Sequence, residues 1–153
     1  MMYTKTLSQK LGLILKKKSM TLAIAESCTG GMIGGVITDI AGSSEYFLGG
    51  VISYDNRIKR DLLGVPEKVL EQYGAVSRQT VIAMAKGVQR LMKADCALAV
   101  SGVAGPGGGT KEKPVGLVYI GIAVGKQCRS FVCRFKGTRA DIRSKTVREG
   151  LKV

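Results

Sequence analysis

The stretch TLAIAESCTGG, residues 21–31, decides how the fold is read from this sequence. Residues 21–26 form a mostly apolar run of strand length, and the serine, threonine and glycines of residues 27–31 are typical of a tight turn. Apolar side chains then recur at helical spacing from Met32 to Ile40. The stretch therefore predicts a strand, a glycine turn and a helix, with Ser27 at the point where the strand ends.

The segments on either side alternate between helical and strand patterns. Strands alternating with helices and then a hairpin predict an α/β fold, in which residues 1–153 form a single three-layer domain with a mixed central sheet flanked by helices. A bulge is expected at the Gly49-Gly50 pair. We expect helices over 4–18, 56–63, 66–74, from Ser77 to about Met92 and from Thr138 onward, strands over 21–26, 46–54 and 96–101, and a hairpin of 115–124 and 130–135 joined around 125–127.

Apolar stretches are too short to suggest a membrane protein. The chain has 153 residues, which suits one domain. Its apolar runs fall short of the ~18 residues that a membrane span requires. The basic N-terminal segment has Leu7, Leu11 and Ile14 at helical spacing, which indicates an amphipathic helix rather than a signal peptide. We therefore expect a cytoplasmic protein with no membrane partner.

Lysine and arginine outnumber the acidic residues by 24 to 11, which gives a net charge of +13. Such a charge attracts anions and suits a phosphorylated small molecule. The basic residues are dispersed, and the chain has no Trp and only three Phe. Because RNA-binding modules usually add exposed aromatic side chains for stacking, the sequence argues against a nucleic-acid partner.

The absence of histidine narrows the chemistry. It excludes a Ser-His-Asp triad, a Cys-His dyad and metal ligation by histidine, so the base of a hydrolase would be a carboxylate, a lysine or a tyrosine. The cysteines form no CxxC pair, and we expect reduced thiols and neither a metal nor a cofactor. The role of one of them, Cys28 beside the serine, stays open; the four are Cys28, Cys96, Cys128 and Cys133.

Two glycine-rich loops follow predicted strands, residues 26–31 and 101–110. In an open α/β sheet, ligands bind beyond the carboxyl ends of the strands, where both loops should lie. The second loop is not a P-loop, since Thr110 follows its last glycine, and it reads either as an anion cradle or as a mobile surface loop. The first resembles a nucleophile elbow with Ala25 at the place of the first glycine. Ser27 is then either a nucleophile or merely a helix cap.

Five motifs occur together and in order: AESCTGG at 25–31, TDIAGSS at 38–44, GAVS at 74–77, SGVAGPGGGT at 101–110 and EKPVG at 112–116. From about residue 5 to the end the chain resembles the CinA C-terminal domain family, whose stand-alone bacterial form is the nicotinamide-nucleotide amidase. The resemblance implies hydrolysis of nicotinamide mononucleotide to nicotinate mononucleotide and ammonia, without metal or cofactor. By the same analogy we expect a homodimer.

The resemblance also assigns roles to residues. It implies that Ser27 is the nucleophile and, through YDNRIK at 54–59, that Lys59 is the base with Tyr54 as its neighbour. Asp55 departs from the serine usual in that motif. Arg139 is expected to face the substrate, and the amides at the start of the helix after Ser27 to point at an oxyanion. The predicted substrate-binding residues are Thr29, Gly30, Gly31, Ser101, Gly102, Gly105, Thr110 and Arg139.

Physical reasoning permits a Ser–Lys mechanism in a chain without histidine. A lysine of pKa ~10.4 must lose about 3 pKa units to act at neutral pH, which burial and nearby cations can provide. From the sequence alone, Lys59 could equally be a solvated helix lysine. Two other functions remain as alternatives: a non-catalytic binding module in competence or DNA repair, and a serine amidase for another small amide.

Overall fold

A computed structural model describes residues 2–153, in which five strands and six α-helices follow one another. A short 3-10 turn, Ser43–Glu45, precedes the second strand. The elements are α1 (Met2–Lys18), β1 (Leu22–Glu26), α2 (Met32–Thr38), β2 (Phe47–Ile52), α3 (Asn56–Asp61), α4 (Glu67–Tyr73), α5 (Arg78–Met92), β3 (Cys96–Gly102), β4 (Leu117–Val124), β5 (Gln127–Arg134) and α6 (Arg139–Gly150).

The strands form one mixed sheet in the order β2-β1-β3-β4-β5. Strands β2, β1 and β3 are parallel, whereas β4 runs antiparallel to both β3 and β5. The predicted α/β class with a mixed sheet flanked by helices is therefore confirmed. Because the three parallel strands point the same way, the loops that leave their carboxyl ends meet at one edge of the sheet.

Alternation along the strands divides the core between the two faces of the sheet. In β1, Leu22 and Ile24 belong to a cluster that includes Ile33 of α2 and Ile142 of α6. Their neighbours Ala23 and Ala25 belong to a second cluster, built with α5 on the other face. The helices thus cover both faces, which gives the three layers that the sequence predicts.

Helix α5 packs unusually close to its neighbours. A Cβ added at Gly121 would lie 2.4 Å from the carbonyl oxygen of Val81, and one added at Gly87 would lie 1.9 Å from that of Leu63. Leu63 follows α3 and is fully buried. Only glycine allows this approach, and the contact at Gly87 fixes the end of α3 against α5.

Two local predictions can be compared with the structure. The bulge at Gly49-Gly50 is confirmed: Leu22 pairs with Phe47 and Ala23 with Gly49, so one residue of β2 has no opposite partner. The hairpin boundary was predicted wrongly, because β5 begins at Gln127 rather than at residue 130. Strand β5 lies at the edge of the sheet and carries polar side chains that resemble a turn in sequence.

Candidate active site

A cleft of about 200 Å³ lies at the carboxyl edge of the parallel strands. Its walls come from the loops that follow β1, β2, β3 and α4, from the end of β3, and from one residue each of α3 and α6. The cleft therefore gathers residues that are far apart in the sequence. They are Ser27, Cys28, Tyr54, Lys59, Ala75, Val76, Ser101, Gly102, Ala104 and Arg139.

Ser27 is the first residue after β1. Its backbone amide donates to the carbonyl oxygen of Val100 at 3.1 Å, which extends the pairing of β1 with β3 by one residue. The side chain is largely buried but reaches the cleft, and its Oγ lies 3.1 Å from Nζ of Lys59. Ser27 is therefore held rigidly, with its hydroxyl directed at an amine.

Lys59 comes from α3, which begins after Asp55 caps it by accepting from the amide of Arg57 at 2.7 Å. Only 1% of Lys59 is exposed, although a lysine on a short helix would ordinarily be solvated. Besides Ser27, its Nζ donates to the carbonyl oxygens of Ser53 at 2.6 Å and Tyr54 at 3.2 Å. These three oxygens surround the amine.

Burial changes the protonation of this amine. Among residues 2–153, no carboxylate forms a hydrogen bond or salt bridge with Lys59. Loss of solvation lowers the pKa of Lys59 to about 8, against a smaller opposing effect from the charge of Asp55. A lysine with such a pKa is partly neutral near physiological pH, which is the state required of a general base.

The carboxylate of Glu26 is buried directly before Ser27, but it is fully engaged. It accepts from Oγ1 of Thr29 at 2.5 Å and from three backbone amides, those of Gly31 and Ile33 at 3.1 Å and of Gly34 at 2.9 Å. These four donors fold the turn back over the end of β1. Glu26 therefore stabilises the turn and is not available as the base.

This arrangement corrects part of the predicted substrate site. The amide of Gly31 donates to Glu26, and that of Gly30 donates to the carbonyl oxygen of Ser27 at 3.1 Å, so neither faces a ligand. The side chain of Thr29 is buried in the turn. Within residues 2–153, the backbone amides of Cys28 and Thr29 have no protein acceptor. The donors left for a ligand are thus the amide of Thr29, which was among those predicted, and that of Cys28, which was not.

Cys28 lines the cleft beside Ser27 as a protonated thiol. Burial raises the pKa of Cys28 to about 11, and this effect outweighs a backbone hydrogen bond at Cys28 that lowers the pKa. The charge of Glu26 raises the pKa further, and those of Arg143 and Lys59 lower it by smaller amounts. Because the thiolate is the nucleophilic form, this environment favours Ser27 over Cys28 as the nucleophile.

Arg139 joins two loops at the rim of the cleft. One of its terminal nitrogens donates to the carbonyl oxygen of Gly105 at 2.8 Å and the other to the phenol oxygen of Tyr54 at 3.3 Å. Tyr54 is 63% exposed, and its hydrogen bond with Lys59 is made by the backbone carbonyl rather than by the phenol. Gly105 thus orients Arg139 through its backbone, and both Arg139 and Tyr54 line the cleft.

The end of β3 and the start of the glycine loop that follows it line the cleft, whereas the rest of that loop does not. Ser101 is buried and its Oγ donates to the carbonyl oxygen of Ala75 at 2.8 Å, which holds the opposite wall in place. Gly102 also lines the cleft. Thr110 does not, because its amide and hydroxyl pair with the backbone of Lys113 in an exposed turn. The structure therefore places Thr110 outside the cleft, and its part in substrate binding stays a prediction.

Sequence reasoning missed one residue that supports the turn after Ser27. Arg143 donates from Nε to the carbonyl oxygen of Cys28 and from a terminal nitrogen to that of Thr29, both at 3.0 Å. It follows Arg139 by four residues on α6, so the two share one helix face. That spacing could have identified Arg143 from the sequence.

Three further features bear on the predictions. All four cysteines are free. Among residues 2–153, no three Cys, Asp or Glu side chains come together where they could hold a metal ion. None of the helices in the same range has the length and apolar character needed to cross a bilayer.

The fold and the site define a three-layer α/β domain with a buried serine–lysine pair at the carboxyl edge of a mixed sheet. The family model of the CinA C-terminal domain matches residues 4–153. The chain belongs to this family.

The relatives are much longer proteins. The CinA-like protein of Endomicrobium trichonymphae is 53% identical over 146 residues, which cover 95% of this chain and 34% of that protein. The CinA-like protein of Desulfotalea psychrophila is 50% identical over 150 residues, or 97% and 36% of the two chains. The chain spans about a third of the length of the curated relatives it matches.

Solved structures share the whole fold. The competence/damage inducible protein CihA from Agrobacterium tumefaciens is 41% identical and superposes with a TM-score of 0.95, covering 98% of this chain and 92% of that one. The competence damage-inducible protein A (ComA) from Klebsiella pneumoniae is 32% identical with a TM-score of 0.95, covering 97% and 92%. The family and the fold are therefore established together.

Proposed function

We propose that this domain is an amidohydrolase that converts nicotinamide mononucleotide to nicotinate mononucleotide and ammonia, with Ser27 as nucleophile and Lys59 as general base. The observation that carries the proposal is the contact of 3.1 Å between Ser27 Oγ and an almost completely buried Lys59 Nζ. A buried lysine without a carboxylate partner costs stability, so its position beside a serine at a cleft favours a chemical role.

Hydrogen bonding around the amine supports its use as a base. When neutral, the amine has two N–H donors and one lone pair. The carbonyl oxygens of Ser53 and Tyr54 can accept the two N–H bonds, since carbonyls only accept. The lone pair then faces Ser27, whose hydroxyl proton it can take as Oγ attacks the carboxamide carbon.

The leaving group and the second half of the reaction follow from the same contacts. The proton that Lys59 gained passes to the departing nitrogen, so that ammonia leaves and an acyl-serine remains. Lys59 is then neutral again and takes a proton from water, which attacks the ester and releases the acid and free Ser27. The unpaired amides of Cys28 and Thr29 are the donors nearest to the nucleophile for the oxyanion of each tetrahedral intermediate.

Substrate size and charge fit the cleft. A space of about 200 Å³ accommodates a single aromatic ring with its carboxamide, and the rest of a nucleotide would extend past the rim. Arg139 lies at that rim, and a guanidinium suits a phosphate. The net charge of +13 would also attract an anionic substrate.

The test is ammonia release from a panel of pyridine amides and their nucleotides. We expect turnover of nicotinamide mononucleotide by the unmodified chain and none above background by Ser27→Ala, which removes only a hydroxyl. Lys59→Met and Lys59→Arg should each lose several orders of magnitude, since a guanidinium does not give up its proton near neutral pH. Lys86→Met, which replaces an exposed lysine of α5, is the matched control and should keep full activity.

The outcomes separate the proposal from its alternatives. Turnover of a different amide, abolished by the same two variants, would keep the Ser–Lys chemistry and replace the substrate. Full activity in Ser27→Ala would refute the nucleophile assignment.

A non-catalytic role is the second candidate, favoured by the net charge of +13 and by the names of relatives, which refer to competence and damage. In that role the basic surface would hold DNA, and retention would fall steeply with added salt. Salt-dependent DNA binding by a chain that releases no ammonia from any amide would support this reading against the amidase.

A further inference from the structure

A cleft larger than the one that contains Ser27 lies elsewhere in the domain. It has a volume of about 480 Å³, compared with about 200 Å³ for the catalytic cleft, and lies between the start of α5, Lys113 and the β4–β5 hairpin. This volume falls within the roughly 300–1,000 Å³ of small-molecule sites. Its lining residues are Tyr73, Val76, Ser77, Arg78, Gln79, Lys113, Tyr119, Ser130, Phe131 and Val132.

The charged residues of this cleft are of one sign. Arg78 and Lys113 are cationic, and none of the ten lining residues is acidic. The Nε of Arg78 donates to Oγ of Ser130 at 2.8 Å, which orients the guanidinium and leaves its terminal nitrogens available. Lys113 donates one N–H to the carbonyl oxygen of Tyr73 and has two more to offer. Both cations therefore have N–H donors left for an anion in the cleft.

The other feature of the cleft is its aromatic content. The chain contains five Tyr and three Phe, and three of these eight aromatic residues, Tyr73, Tyr119 and Phe131, line this cleft. Tyr73 is 38% and Phe131 40% exposed, so both rings have faces open to a ligand. Aromatic faces stack readily on planar bases.

From this combination we propose that the cleft is a second ligand site, which binds a nucleoside monophosphate with its phosphate between Arg78 and Lys113 and its base against the aromatic rings. The site shares a wall with the catalytic cleft, because Val76 lines both. Two hydrogen bonds hold the segment that contains Val76. Lys113 donates to the carbonyl oxygen of Tyr73, and Ser101 donates to that of Ala75. The proposal concerns binding and does not depend on the amidase activity.

Calorimetric titration of the whole chain with adenosine 5′-monophosphate at low salt tests the site. We expect saturable binding of one molecule per chain, weakened about tenfold or more by Arg78→Gln and by Lys113→Met, as loss of a charge-assisted contact predicts. Phe131→Thr, at an exposed position of β5, should weaken binding of the nucleotide but not of inorganic phosphate. Lys111→Ala, which removes the same charge from an exposed residue outside the cleft, should bind normally.

Arg139→Ala distinguishes the two clefts. It should retain binding, because Arg139 belongs to the catalytic cleft alone. The proposal is overturned if the nucleotide does not bind saturably, if Arg78→Gln and Lys113→Met bind as well as the unmodified chain, or if Arg139→Ala weakens binding more than they do. Circular dichroism of each variant shows whether a loss of binding reflects a loss of fold, and a folded Arg78→Gln with full affinity is sufficient to refute the site.

Discussion

The pH dependence of amide hydrolysis tests the state of the Lys59 amine. Burial lowers the pKa of Lys59 to about 8. Below that pH the amine is protonated and cannot accept the proton of Ser27, so kcat/KM should rise about tenfold per pH unit and level off above about pH 8. The measurement is ammonia release from nicotinamide mononucleotide, in constant ionic strength, from pH 6 to pH 10.

The size of the effect follows from the same pKa. At pH 7, a lysine of pKa about 8 is neutral in about 9% of molecules, whereas one at the ordinary 10.5 is neutral in about 0.03%. Burial therefore increases the active fraction about 300-fold at neutral pH. A fully solvated lysine at this position would therefore give only a small part of this rate of amide hydrolysis at pH 7.

Substitution of Asp55 should move the midpoint of the pH dependence of kcat/KM while keeping Lys59 as the base. Its charge raises the pKa of Lys59, and its side chain caps α3. Asp55→Ser keeps a good cap and removes the charge. A unit charge about 6–8 Å away in water interacts by roughly 0.5–0.7 kcal/mol, so the midpoint should shift down by about half a pH unit. Asp61→Asn, on the same helix, should leave it in place.

Three results would refute this reasoning. A midpoint near pH 4 would assign the base to a carboxylate. A profile that stays flat from pH 6 to pH 10 would mean that no amine of lowered pKa limits the reaction. A midpoint that moves upward in Asp55→Ser would contradict the electrostatic argument, since removing a negative charge can only favour the neutral amine.

Three further substitutions test other parts of the site. Arg139→Ala should raise KM for nicotinamide mononucleotide at least about tenfold while changing KM for nicotinamide little, because the guanidinium at the rim of the cleft binds the phosphate. Equal effects on both substrates would mean that Arg139 supports the structure or contacts the carboxamide instead. Cys28→Ala should retain most ammonia release and resist thiol-blocking reagents, and a loss as large as that of the serine variant would make the thiol essential. Glu26→Gln should lower the free energy of unfolding in urea by about 2–4 kcal/mol, because an amide cannot accept from all four buried donors, whereas Glu112→Gln in an exposed loop should change it little.

Local sequence patterns were sufficient to predict the architecture, but they were not sufficient to predict the contacts that define the site. The strand, turn and helix around Ser27 follow from periodicity and glycine placement, and the mixed sheet follows from the alternation of elements. The burial of Lys59 does not, because a lysine on a six-residue helix looks solvated in any local window. Its position depends on Leu63, which the close approach of Gly87 draws against α5. Only the family resemblance pointed to this lysine.

The errors at the turn after β1 have a single physical origin. The sequence presents the amides of Gly30 and Gly31 as free donors at the start of a helix, which is the usual inference for a glycine turn. Glu26 is buried with them, and a buried carboxylate takes the nearest available donors. Recognising a glutamate at the end of an otherwise apolar strand as a buried acceptor would have left the predicted amide of Thr29, together with that of Cys28, as the expected ligand donors.

Two buried ionisable groups of the site, Glu26 and Lys59, have opposite surroundings. Glu26 accepts hydrogen bonds from four donors, and these fix the turn that carries Ser27. Lys59 is surrounded by neutral oxygens, which accept its N–H groups but supply no full counter-charge. Lowering its pKa from 10.5 to about 8 corresponds to about 3 kcal/mol of ammonium stability. A carboxylate beside Lys59 would recover that energy and raise the pKa, and the amine would then no longer be a base at neutral pH.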